Sequence, residues 1–529
     1  IISETQLALA SLAGHSSFAS RGSCQMGSGA SAGLNAAISS ASGSDLALAL
    51  AGLSSEDRDK LKHSLRFNGP MVLPSPSAAE LLRLIKTGEK SCVAILTDLF
   101  HRMTWLNTDL NACVEILQTS ALERAAEVDA KVASGQPLRL LEGLPLLVKA
   151  NIDVAGTLTT AATPALKDWR PIQSAPCMQK LLDAGAIVTA KTHMPEFAMR
   201  MDGWNDTFGM IRNPHSLQHS PGGSSSGTAA GIAAGMGPVG LGTDTAGSLR
   251  IPAACCGISG FRPSRGRWPC EGIVPIDARK DTPGPMGGCV QDLVLLDAVV
   301  TGEEPVQQAD LTRMRFVVPW DWLDDMSCVC EASLVALKLT MNVLEKAGAI
   351  VEDRRDILPL VQMEGKFAMD SANDMQRYLD SHCEVPQTMS VSNIVELSKS
   401  HAKNVFLPPQ DPETHKANLA ELSAATEKQE LAYRAYFKEH EVNAMLVPTL
   451  HMEPYVQMQE AAPDLMTNFA VAKLAGRFVQ LKIPALSLPT TVKHDVGGGS
   501  LRASVMLYGT DDRELLSIGL ALEQALASQ

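Results

Sequence analysis

Aromatic residues are scarce in this 529-residue chain, at 4%, so any large core has to be built from Ala, Leu, Val and Ile. Basic charge is also in short supply. Lys and Arg number 45 against 58 Asp and Glu, a formal net charge of −13, which argues against a basic nucleic-acid footprint. Long apolar runs are missing: residues 46–53 (LALALAGL) fall well short of the ~18 residues that a membrane-spanning helix needs. Paired cysteine spacing is missing too. The 11 cysteines are odd in number, and Cys255-Cys256 and Cys328/Cys330 lack the C-x-x-C spacing of a zinc site. There is no H-E-x-x-H, and the 12 histidines do not cluster at ligand spacing, so no metal is expected. Free thiols in a reducing compartment are the simplest account of the cysteines.

What is present suits a large folded protein. Hydrophobic residues make up 45% and charged ones 19%, which excludes global disorder and collagen-like structure. Length alone predicts roughly 3 to 4 domains. No Pro/Gly/Ser linker divides residues 77–525, however, and we expect one domain over 77–529 preceded by a low-complexity or loosely ordered extension over 1–76. Residues 1–53 are rich in Ala, Ser and Gly with Arg21 as their single basic residue, a weak match to an Arg-rich organelle-targeting segment. A short charged helix is predicted over 54–65.

Organised sequence begins at Ser77, where Ser77-Ala-Ala-Glu80 is a capping box for a helix that stops at Gly88. A second helix is predicted over 91–105. The continuous apolar run 144–148 (LPLLV) reads as a buried strand. Residues 176–190 read as a helix, a stop at Gly185 and a strand, and 340–352 repeat that pattern around Gly348. Short apolar strands follow at 445–448 and 485–488, and 411–440 reads as one exposed helix. This alternation predicts an α/β/α sandwich around a mixed sheet.

The most unusual composition lies at 221–263, PGGSSSGTAAGIAAGMGPVGLGTDTAGSLRIPAACCGISGFRP. Small residues leave backbone N–H groups open to a ligand. Gly235-Met-Gly237-Pro-Val-Gly240 fits a dinucleotide fingerprint in letters, but it follows an Ala/Gly helix rather than a strand and contains Pro238. Gly223-Ser-Ser225-Ser-Gly227 fits the nucleophile elbow of a Ser-His-Asp hydrolase, with Ser225 as nucleophile and His451, His494 and Asp464 as candidate partners. An elbow needs a strand before it, whereas His219-Ser-Pro221 is turn chemistry.

A third reading rests on longer motifs. GGSSSG followed by GLGTDTAGSLRIPAACCGISGFRP, with GLPLLVKANID upstream, resembles the amidase signature family, whose members hydrolyse C–N amide bonds. AKTHMPEFAM (190–199), FGMIRNP (208–214), MLVPT and PALSLPT extend the likeness over almost all of the organised chain. The resemblance implies a Ser–cis-Ser–Lys triad: Lys149 as base, Ser224 as cis-serine and Ser248 as nucleophile. It also implies an oxyanion hole from the backbone N–H groups of Thr245, Ala246, Gly247 and Ser248, and no cofactor. The chemistry is coherent. A serine hydroxyl needs an adjacent base, and a lysine serves as one only when burial keeps it neutral. Lys149 follows a buried strand directly. Asp244 and Arg250 read as a structural ion pair, Ser225 as a hydrogen-bonding residue within the site, and Cys255 and Cys256 as core. Ser226 stands where the family motif commonly has glycine, which requires a negative φ there.

Within the family, residues 260–286 and 148–166 look like the indole-3-acetamide and mandelamide hydrolase branch. The expected reaction is hydrolysis of a small primary amide, such as an arylacetamide, to acid and ammonia through an acyl-enzyme. The Met-rich stretches 194–210 and 452–466 are candidate pocket lining. Further expectations are a small-molecule substrate, a homodimer and a cytoplasmic location. Competing readings are an amidotransferase-type subunit, which would carry glutamine where this chain has Ile251, and a catalytically dead homologue.

Overall fold

The computed structural model describes residues 71–72, 75–325, 329–361, 369–384, 389–398, 401–407, 409, 411–451, 474–476, 478–495 and 500–529. The helix predicted over 54–65, Asp464 and the Met-rich stretch 452–466 lie outside them.

Eleven strands form one mixed sheet: β1 (Cys113–Ile116), β2 (Pro145–Lys149), β3 (Ile187–Thr192), β4 (Val239–Asp244), β5 (Ser259–Arg262), β6 (Thr282–Gly287), β7 (Arg315–Pro319), β8 (Ile350–Arg354), β9 (Ala444–Pro448), β10 (Ala485–Asp495) and β11 (Ser500–Tyr508). Their spatial order is β1-β3-β2-β4-β6-β5-β10-β11-β9-β7-β8. β2 runs parallel to both β3 and β4, and β7 parallel to β8 and β9, while the strands between these groups pair antiparallel. Fully buried runs such as Leu146–Val148 mark strands covered on both faces.

The predicted punctuation sets the element ends. Helix α1 (Ala78–Thr87) starts where Ser77 Oγ accepts the Glu80 N–H at 3.2 Å, and stops at Gly88 with φ 70°. Helix α2 (Cys92–Leu110) is capped by Ser91 and runs five residues past its predicted end, its apolar face carried on by Leu106 and Leu110. Helix α3 (Gln118–Ala133) packs beside it. Helix α4 (Pro176–Asp183) passes through Gly185, at φ 102°, into β3. Helices α5 (Ser226–Ala233), α6 (Arg250–Cys256) and α7 (Val290–Thr301) surround the central strands. The second predicted helix–glycine–strand unit is α8 (Glu331–Lys346), Gly348 at φ 87° and β8. Helix α9 (Ser371–Asp380), the largely exposed α10 (Pro412–Glu439) and α11 (Asp512–Ala527) complete the set used below.

Residues of β2 alternate between two apolar clusters. Leu147 packs with α1, α2, α3 and α5, whereas Leu146 and Val148 pack with α4 and α7. The molecule is therefore an α/β sandwich of helices on both faces of a large mixed sheet. The burial of so many aliphatic side chains, at roughly 25 cal/mol per Å² of apolar area, supplies the driving force that scarce aromatics do not. Among the described residues, no helix is long and apolar enough to cross a membrane.

Candidate active site

Three chain segments meet at the ends of β2 and β4. Lys149 is the last residue of β2 and is fully buried. Its Nζ lies 2.8 Å from Ser224 Oγ and 2.8 Å from Thr243 Oγ1. Thr243 belongs to β4 and also accepts from Asn151 Nδ2 at 3.1 Å. Burial drives the Lys149 ammonium down to about 7, although the carboxylates of Asp244 and Asp281 favour its charged form.

Ser224 follows a cis peptide bond, Gly223–Ser224. Two glycines make room for it. Gly222 has φ 72°, and a Cβ on Gly223 would lie 2.6 Å from the Arg200 carbonyl oxygen, closer than packed atoms tolerate. Ser225 stands at the N-cap position of α5, though its side chain bonds elsewhere. Its Oγ sits 3.3 Å from both the N–H and the carbonyl oxygen of Thr243, so it braces the loop against β4. Ser226 lies inside α5 at negative φ, as its replacement of glycine requires, and its Oγ donates to Gly222 O at 2.6 Å.

Ser248 lies on the loop between β4 and α6 and is buried. Its carbonyl accepts the Ser225 N–H at 3.2 Å, joining the two serine loops, and its Oγ lies 3.9 Å from Met201 Sδ. The structure thus brings Lys149, Ser224 and the Ser248 loop together across 75 and 24 residues of sequence. The elbow alternative gains nothing: Ser225 is spent on the Thr243 backbone, and its run leads from a bend into α5 with no strand before it. The dinucleotide-like Gly235–Gly240 run links α5 to β4, a helix-to-strand order opposite to the fingerprint.

An ionic centre sets the shape of the Thr245–Ser248 loop. Asp244 Oδ2 is 3.1 Å from Arg250 Nε, and Oδ1 is 2.9 Å from Arg262 Nη1, with all three side chains buried. Burial alone would raise the Asp244 carboxyl, but the two guanidinium groups outweigh it and hold it well below the usual carboxylate range. Asp244 also accepts the N–H groups of Gly247 at 2.8 Å and Leu249 at 3.1 Å. This revises the expectation for Gly247: its N–H is already taken by a carboxylate and braces the loop. Among the described residues, no acceptor engages the N–H groups of Thr245, Ala246 or Ser248. Ala246 is the part of this loop that reaches toward solvent.

Sequence reasoning gave no role to Thr243, Asn151, Arg262 or Asp281, whereas Met201 falls in the Met-rich stretch 194–210 expected to line the pocket and lies 3.9 Å from Ser248 Oγ. Thr243, Arg262 and Asn151 stand inside the quoted motifs, Asn151 only two residues after Lys149, but nothing local marks them as partners of the site. Asp281 reaches the site through a pairing that no spacing encodes. Cys255 and Cys256 are buried, and burial pushes the Cys255 thiol up to about 12, which makes it inert core.

The family model described as Amidase matches residues 94–520. A mandelamide hydrolase of Pseudomonas putida is 32% identical over 453 residues, covering 79% of this chain and 85% of that protein. An indoleacetamide hydrolase of Agrobacterium vitis is 30% identical over 475 residues, covering 86% and 98%. Among solved structures, an amidase at 28% identity superposes with a TM-score of 0.67 over 85% of this chain and 100% of that one. A peptide amidase from Stenotrophomonas maltophilia, at 24% identity and a TM-score of 0.68 over 87% and 98% of the two chains, shares the fold. A lysine–serine centre at the strand ends, on a sheet of this topology and with these relatives, makes the chain a member of the amidase family, an enzyme that hydrolyses carbon–nitrogen amide bonds.

Proposed function

We propose that the enzyme cleaves a small primary amide with an aryl or arylacetyl acyl group, releasing ammonia, with Lys149, Ser224 and Ser248 as its catalytic residues. The observation that carries this reading is the 2.8 Å contact between a fully buried lysine and Ser224. Thr243 Oγ1 already accepts from both Lys149 and Asn151, so its two lone pairs are filled. The lone pair of a neutral Lys149 is then left for the Ser224 hydroxyl proton. In the proposed sequence Lys149 takes that proton while Ser224 takes the proton of Ser248, whose Oγ attacks the amide carbon. The tetrahedral oxyanion is drawn by the N–H groups of Thr245, Ala246 and Ser248. Collapse breaks the C–N bond, and the proton held by Lys149 returns through Ser224 to the departing nitrogen. Water then repeats the attack on the acyl-serine, releasing the acid and restoring Ser248.

The substrate class rests on the two hydrolases named above, both acting on amides with an aryl-bearing acyl part by their names. Residues 77–529 form the amidase domain and 1–76 its extension in this reading, which the match at 94–520 supports. Free cysteines throughout the described residues favour a reducing compartment such as the cytoplasm.

The test is a fluorophosphonate probe followed by peptide mass mapping. We expect one label, on Ser248. A label on Ser225, or none, would overturn the assignment. Ammonia release from mandelamide, indole-3-acetamide, benzamide, a fatty acid amide and glutamine then ranks the substrates. Glutamine as the sole substrate would favour an amidotransferase-type subunit.

A further inference from the structure

The oxyanion loop has a second anchor besides the arginine-bound Asp244. Thr245 Oγ1 donates to Asp281 Oδ1 at 2.5 Å. The other carboxylate oxygen of Asp281 accepts two backbone N–H groups, Ile276 at 2.8 Å and Asp277 at 3.0 Å. Asp277 is itself held by Arg279 at 2.9 Å and Lys280 at 3.2 Å. Asp281 is buried and immediately precedes β6, whose first residue, Thr282, pairs with Asp244 in β4. The carboxylate is thus fixed by its own turn before Thr245 uses it. A hydroxyl-to-carboxylate bond of this length is the charge-assisted kind, stronger than a neutral pair.

We propose that Asp281 is a positioning residue for amide hydrolysis, holding Thr245 by its hydroxyl so that the Thr245–Ser248 backbone is aimed at the developing oxyanion. The inference rests on the catalytic reading of Ser248 given above. The loop is pinned at both ends: Asp281 fixes Thr245, and Asp244 fixes Gly247 and Leu249. Between them stand the N–H groups without a protein acceptor among the described residues. An error in their direction weakens the transition state more than the bound substrate, because donors of this kind act on charge that appears only in the transition state.

The prediction is a split between kcat and KM. Asp281→Asn and Thr245→Val are each expected to lower kcat by about 10- to 100-fold while KM changes by no more than about threefold. Compared at a pH well above 7, where Lys149 is neutral whether or not the Asp281 charge is present, the double variant is expected to be no slower than the worse single one, because both remove the same bond. Thr245→Ser, which keeps the hydroxyl, should recover most of the turnover lost in Thr245→Val. Full kcat in Asp281→Asn, additive losses in the double variant, or failure of Thr245→Ser to recover turnover would each overturn the inference. Thr245→Val and Thr245→Ser leave the carboxylate in place, so they decide the matter if Asp281→Asn does not fold. If the fluorophosphonate misses Ser248 in the unsubstituted enzyme, the catalytic assignment itself fails. If Ser248 is labelled and these kinetics still do not appear, only the role of Asp281 fails.

Discussion

Two fully buried lysines sit on neighbouring strands of this sheet, and only one of them is the proposed base. Lys149 ends β2 and Lys191 lies in β3, where it pairs with Val148, so alternation points the two side chains to opposite faces. Burial lowers both to about 7, against nearby carboxylates that favour the charge: Asp244 and Asp281 for Lys149, Asp153 and Glu115 for Lys191. The difference lies in their partners. Lys191 Nζ meets the Ile152 carbonyl at 2.5 Å and Thr159 Oγ1 at 3.4 Å. A carbonyl only accepts, so Lys191 acts as a donor that ties the chain after β2 to β3. Lys149 meets two hydroxyls at 2.8 Å, against a single one at 3.4 Å for Lys191, and a closely held hydroxyl can give a proton as well as take one. A lowered lysine pKa therefore does not identify a base; the neighbour's ability to supply a proton does.

Substitution separates the two roles. Lys149→Ala is expected to cut kcat by about 10²- to 10⁴-fold, the usual worth of a general base, with the fold retained by circular dichroism. Lys191→Met should leave turnover within about tenfold of the parent and instead cost about 1–3 kcal/mol of stability, read by denaturant titration, because it strands the buried Ile152 carbonyl. Equal kinetic losses in the two variants would erase the distinction between the two lysines.

Acidity gives a finer cut. As the proposed base, Lys149 must be neutral to accept a proton, and its charge is lost as pH rises through about 7. We therefore expect kcat/KM to climb with pH across that region and level off above it, and Lys191→Met to leave this limb in place. Stability carries a smaller signal in the same direction. Unfolded lysine keeps its proton to about 10.5, whereas these two release theirs near 7 when folded. Between those values the unfolded chain binds more protons, so stability rises with pH. That rise should flatten in Lys191→Met, measured as chemical denaturation midpoints at pH 7.5 and 9.5.

Much of this was legible in the linear chain because the signals were local. The Ser77–Glu80 capping box, the stops at Gly88, Gly185 and Gly348 and the strand ending in Lys149 depend on a few adjacent residues. The serine-rich run was legible too, since small residues in such density have few other uses. Strand β6 was not. It reads TPGPMG, and two prolines with two glycines spell a turn. It is tolerated deep in the sheet because β5 pairs with it only at Met286 and Gly287, beyond both prolines. The partners of the site were equally hidden. Asp281 reaches Thr245 across 36 residues and Arg262 reaches Asp244 across 18, by pairings that only the folded sheet creates.

Six consecutive residues, 243–248, hold the lysine's second hydroxyl partner, the arginine-caged carboxylate, the threonine anchored by Asp281 and the proposed nucleophile. Strand β4 enters that stretch already registered against β2 on one side and β6 on the other. Inserting or deleting a single residue in β4 ahead of Thr243 would exchange the faces of Thr243 and Asp244 and misplace these contacts together. Helix α9, by contrast, reaches this region only through side chains, with Tyr378 Oη donating to Asp153 Oδ1 at 2.9 Å just past β2. The contacts of β4 are held by register, so a change of length in the strand is expected to cost all of them at once, where a change in α9 costs single contacts.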